Sequence, residues 1–74
     1  MALGKRSIAL AGHATSIALE PKFWTVIDEM VRARALSVAA LIAQIDAHRG
    51  ERPLASACRL AALAWRAPPG DSMR

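Results

Sequence analysis

Thr15-Ser-Ile-Ala-Leu-Glu-Pro-Lys-Phe-Trp24 changes its period in the middle. Up to Leu19 the residues alternate, with Ile17 and Leu19 on one side and Ser16 and Ala18 on the other, the two-residue period of a strand that buries one face. Glu20 and Pro21 end that alternation. Proline has the right φ for the first helical position, its missing N–H would be unpaired there in any case, and a carboxylate just before it suits the positive end of the helix dipole. From Pro21 to Arg34 the apolar residues Phe23, Ile27, Met30 and Val31 recur at helical spacing, leaving Asp28, Glu29 and Arg32 for solvent. Leu19 and Trp24 stand where a hydrophobic staple would fix the angle between strand and helix.

Upstream, Ser7 to Ala11 alternate in the same way, with Ile8 and Leu10 on one side, and Gly12, His13 and Ala14 read as the turn between two strands. A hairpin of this size is marginal by itself and needs helices to cover it. Downstream, Ala35 and Leu36 break the first helix, and Ser37 is a good N-cap for a second one over Val38 to His48, with Val38, Leu41, Ile42 and Ile45 as its stripe. Leu36 and Leu41 repeat the staple. Gly50 closes that helix and Pro53 opens a third, carrying Leu54, Ala57, Cys58, Ala61, Ala64 and Trp65 on one stripe that Leu60 and Leu63 widen. Pro68, Pro69 and Gly70 stop it, so residues 67–74 are expected to form a flexible tail.

A chain of 74 residues is one domain, close to the size at which a single core is barely sufficient. With 54% hydrophobic residues it is too apolar to be disordered, and with Cys58 as its only cysteine it has no disulfide of its own, so oligomerisation is the remaining source of stability. The lone thiol also fits a reducing compartment. Arg32, Arg34, Asp46 and Arg49 interrupt the best apolar stretch, and the run after Lys5 and Arg6 is cut at Gly12, so neither a membrane span nor a signal peptide is expected. The expectation is a cytoplasmic protein. A net charge of +4 is compatible with a polyanionic partner.

Chemistry other than binding finds no foothold. His13, His48, Asp46 and Cys58 lack the close pair spacing of a zinc site, so no metal and no cofactor is expected. His13 reads as a turn residue, Asp46 and Arg49 as an ion pair three residues apart on one helix, and Trp24 and Trp65 as core or subunit-interface aromatics. There is no nucleophile beside a base, no pair of carboxylates in a pocket-forming context and no glycine-rich phosphate loop, so no catalytic residue is assigned and the chain is not expected to be an enzyme.

The segment from Lys5 to Trp24, with Gly12-His13, Thr15-Ser16, Leu19-Glu20 and Phe23-Trp24, resembles the opening of a family of short bacterial ribbon-helix-helix proteins. The likeness continues through Leu36-Ser37, Leu41-Ile42, Ile45-Asp46, Arg49, Leu54 and Ser56-Ala57-Cys58-Arg59-Leu60. It implies a mainly α fold with a short N-terminal β element, built as an intertwined homodimer in which one strand from each subunit pairs antiparallel and enters the DNA major groove. The domain would span residues 5–66 and carry an additional C-terminal helix. The implied role is transcription regulation. Its outward strand positions are Ser16, Ala18 and Glu20, and Ser37 is the phosphate position at the start of the second helix. Lys5 and Arg6 form a basic arm, and Thr15 completes the DNA-binding set with Ser16, Ala18 and Ser37. The strand departs from the usual pattern, since Ala18 has no donor and Glu20 is an anion. The shared core is expected from Ile17, Leu19, Phe23, Ile27, Leu41, Ile42 and Ile45. An alternative from a different class is an antitoxin-like or adaptor dimer, with the helix Leu54 to Trp65 docking a protein partner.

Overall fold

Ala11 and Gly12, at φ 49° and 82°, reverse the chain in two residues. Two consecutive positive φ values make the hairpin turn whose twist matches that of the strands it joins. The computed structural model describes residues 2–66. In it β1 (Gly4–Leu10) and β2 (His13–Leu19) pair antiparallel along their whole length, from Gly4 opposite Leu19 to Leu10 opposite His13. The turn is therefore shorter than the Gly12 to Ala14 loop expected from sequence. His13 is a strand residue, because the two positive-φ residues already close the loop. Lys5 and Arg6, expected as an arm, are likewise strand, opposite Ala18 and Ile17. The ribbon thus forms within one chain, and among the described residues the outer edge of β2 has no strand partner.

Three helices follow: α1 (Pro21–Arg34), α2 (Val38–His48) and α3 (Leu54–Arg66). Each boundary has a local cause. Ala35 at the end of α1 is left-handed, and its N–H and that of Leu36 return to the carbonyls of Arg32 and Val31, satisfying groups the helix end would orphan. The Ser37 hydroxyl accepts the Ala40 N–H at 3.0 Å and caps α2. Gly50, at φ 62°, follows the C-cap of α2, and the Pro53 carbonyl accepts the first bond of α3 from Ala57.

The inner face of the ribbon and the three helices share one core. Ile17, Leu19, Trp24, Ile27, Met30, Leu41, Ile42 and Cys58 are buried in it. Phe23 and Ile45, expected among them, are only partly buried. Trp24 takes the central place, its indole N–H donating to the Gly4 carbonyl at 2.6 Å, which pins the start of β1 onto α1. A Cβ on Gly4 would come within 3.1 Å of that indole, so glycine permits the approach. α3 packs through Ala57, Cys58 and Ala62. Those short side chains allow close contact and leave no room for bulky ones. The stripe read from the sequence is corrected accordingly: Leu60, Leu63 and Trp65 remain 46%, 58% and 41% exposed, and Trp65 is not a core residue of the chain. The expected tail at 67–74 lies outside the described residues.

Candidate nucleic-acid interface

Strand alternation sorts the ribbon into two faces. With Ile8, Ile17 and Leu19 buried against the helices, the outer face carries Lys5, Ser7 and Ala9 from β1 and Ala14, Ser16 and Ala18 from β2. Across the strands Lys5 stands opposite Ala18, and Ser7 opposite Ser16. Of the expected DNA-binding residues, Lys5, Ser16 and Ala18 are therefore brought together on one surface. Ser7 and Ala9 were not singled out, although their spacing from Lys5 already placed them there.

Arg6 and Thr15 point the other way. Thr15 is half-buried opposite Ile8, sharing the parity of Ile17 and Leu19. Arg6 forks onto Asp28 of α1 through two hydrogen bonds of 2.9 and 3.1 Å, with its guanidinium carbon 4.3 Å from the centre of the Trp24 ring. The hydrogen bond from Arg6, with its charge, holds the Asp28 carboxyl below its ordinary range despite some burial, and the same bond raises the Arg6 pKa. Arg6 is thus a paired structural cation rather than a free arm.

Glu20, expected as an outward strand position, has left the ribbon. It is the residue before α1, and its carboxylate accepts the Arg59 Nε–H of α3 at 2.8 Å. That hydrogen bond lowers its pKa, and the carboxylate fastens α3 to the start of α1 instead of meeting a base edge. The expected pair of Asp46 and Arg49 is present at 2.6 Å, and Arg66 pairs with Glu29 at 2.8 Å.

Ser37 stands apart from the ribbon at the N-terminus of α2. Its hydroxyl is engaged with the Ala40 N–H, and the Leu41 N–H goes to its carbonyl, so the Val38 and Ala39 N–H groups have no partner among the described residues. The first turn holds no acidic side chain. Unpartnered N–H groups at the positive end of a helix can receive an anion oxygen.

Among the described residues no group of three His, Cys, Asp or Glu could hold a metal ion. Burial pushes the Cys58 thiol up to about 11, so it stays protonated at neutral pH. No described helix is long and apolar enough to cross a membrane. No curated protein and no solved structure matches the chain. A family model described as a ribbon-helix-helix domain matches residues 3–66, which take in the hairpin and all three helices. The chain is therefore a member of the ribbon-helix-helix domain family.

Proposed function

We propose that this chain is a homodimeric DNA-binding regulator, without catalytic activity, that lays the outer face of its ribbon in the major groove. The observation that carries the reading is the ribbon face itself: Lys5, Ser7, Ala9, Ala14, Ser16 and Ala18 form a flat surface of small side chains, free of the core and next to no carboxylate on either strand. Small side chains let a two-stranded ribbon sit deep in the groove. Ser16 and Ser7 offer hydroxyls to base edges or phosphates, Lys5 supplies a phosphate contact, and the start of α2 at Ser37 supplies another. A face with only one long polar side chain reads sequence weakly, so affinity rests mainly on the phosphate term. The second copy joins through the unpaired edge of β2, where open N–H and C=O groups invite a further strand. The protein works in the cytoplasm, where its free thiol stays reduced.

A titration of labelled random duplex at two salt concentrations tests this reading. Saturable binding that weakens steeply with salt is expected, and no binding at low salt would overturn it.

One observation favours a second reading, a protein-interaction module. Leu60, Leu63 and Trp65 are exposed on α3, and Leu63 borders an apolar groove with Phe23 and Val26 of α1. An antitoxin-like or adaptor partner would cover that groove. Retention of DNA binding in Leu63→Asp distinguishes this surface from the ribbon.

A further inference from the structure

At the far end of α2 from Ser37, eleven residues and roughly 16 Å along the helix axis, the surface has an open depression of about 290 Å³. Basic side chains reach it from α1, from α2 and from the connection between α2 and α3, while α3 contributes only Ala57, Leu60 and Ala61. Arg34 comes from the end of α1, His48 from the end of α2, and Arg49 and Arg52 from the connection to α3. No carboxylate lines it. Its apolar lining comes from Met30, Ile45, Ala57, Ala61 and the exposed Leu60.

Three arginines elsewhere in the fold are each matched with one acid: Arg6 with Asp28, Arg59 with Glu20, Arg66 with Glu29. At the pocket Asp46 pairs with Arg49 alone, and Arg34 and Arg52 have no carboxylate partner among the described residues. Asp46 takes the Arg49 Nε–H, and Arg49 gives a second bond, of 2.7 Å, from Nη1 to the Arg52 carbonyl. Arg34 donates one N–H to the Gln44 side chain at 2.9 Å and keeps the rest of its donors. Among the described residues the Arg52 guanidinium has no partner. His48 donates its Nδ1–H to the Gln44 carbonyl at 2.9 Å and turns its other nitrogen outward. Glu51 is exposed and does not line the pocket.

We propose that this pocket binds a phosphate monoester that carries a flat apolar or aromatic group. Guanidinium forks match phosphate oxygens in geometry, and a monoester with close to two negative charges at neutral pH answers a surplus of two cations better than a carboxylate does. The apolar lining takes the ester group, and the volume lies near the lower limit of about 300 Å³ for small-molecule sites. Placement at the opposite end of α2 leaves Ser37 and the ribbon free for DNA.

Titration calorimetry with 1-naphthyl phosphate, inorganic phosphate and 1-naphthol tests it on the wild-type chain. Saturable binding of naphthyl phosphate is expected, about tenfold or more tighter than inorganic phosphate, with no binding of naphthol. Arg34→Ala combined with Arg52→Ala should weaken it at least about tenfold at an unchanged melting temperature, since both side chains are on the surface. Leu60→Ser should erase the preference over inorganic phosphate. Equal affinity for the two phosphates, or equal affinity in the arginine double variant, overturns the proposal. So does the absence of binding at millimolar naphthyl phosphate; if the double variant then loses DNA affinity, the cluster is a DNA phosphate contact. Because the probe contains no nucleic acid, failure of DNA binding leaves this test intact.

Discussion

Lys5 and Arg6 are neighbours in the chain but lie on opposite faces of β1, so replacing them one at a time separates a DNA contact from a structural clamp. Arg6→Ala removes a forked ion pair whose side chains are 38% and 35% exposed, which solvent screening limits to about 0.5–1 kcal/mol. It also removes the guanidinium lying over Trp24, a contact of about 0.5–1 kcal/mol. The expected loss is about 1–2 kcal/mol, or roughly 4–16 °C in melting temperature for a chain of this length. The pair's contribution depends on pH with a definite sign. The Asp28 pKa is lowered from its ordinary 3.8, so the stabilisation is present above that value and disappears as pH falls through the folded value. The gap between wild type and Arg6→Ala should therefore narrow in acid, leaving the contribution of the Trp24 contact. Lys5→Ala should alter stability by less than about 0.5 kcal/mol. In a dimer it removes two phosphate contacts, so the slope of log affinity against log salt should flatten by about 1.8. Circular-dichroism melts and fluorescence anisotropy at several salt concentrations read both effects. If Arg6→Ala flattens the slope as much as Lys5→Ala and melts like wild type, the assignment of faces is refuted.

Ser37→Asp keeps a good N-cap and places a carboxylate where a phosphate would meet α2, so the melt should hold while DNA affinity falls about tenfold; unchanged affinity would remove α2 from the interface. Sedimentation at micromolar concentration should give roughly 16 kDa, twice the 7.9 kDa chain, and a folded monomer at that concentration would refute the homodimer. Ala11→Asn places a residue tolerant of left-handed φ at a position where alanine sits at 49°, and should raise stability by about 0.5–1 kcal/mol in urea unfolding. Cys58 should resist a disulfide reagent under native conditions and react only through unfolding. Because its folded pKa is raised from 9.0 to about 11, its contribution is intact below 9.0 and is lost as pH rises toward 11, which a set of alkaline melts will show.

Where the chain punctuates itself, its sequence was legible. Pro21, Ser37, Gly50 and Pro53 act on the residues beside them, and the helices begin and end where those residues demand. The faces of the ribbon were also encoded, since Arg6 has the parity of Ile8 and Thr15 that of Ile17. Reading the first residues as a solvated arm concealed this, because the extent of β1 depends on pairing with a strand several residues away. Glu20 was misplaced for a similar reason. Its partner Arg59 lies 39 residues on, and no local pattern announces that contact. The orientation of α3 was least legible. A helix rich in alanine has apolar residues all round, and the face that turns inward is decided by how closely two backbones approach, at Ala57, Cys58 and Ala62. The basic pocket escaped notice because its three arginines and His48 come from separate parts of the chain.

The two-residue link between β1 and β2 changes what assembly controls. Where a ribbon is shared between chains, its outer surface exists only after two molecules have met, so it appears with the second power of concentration. Here strand meets strand within one chain, a first-order step on the scale of about 1–10 μs for a hairpin. In the homodimer proposed above, association of two chains would set how many ribbons reach one duplex and how far apart they stand. Scarcity of the protein thus lowers avidity while leaving the contact surface whole.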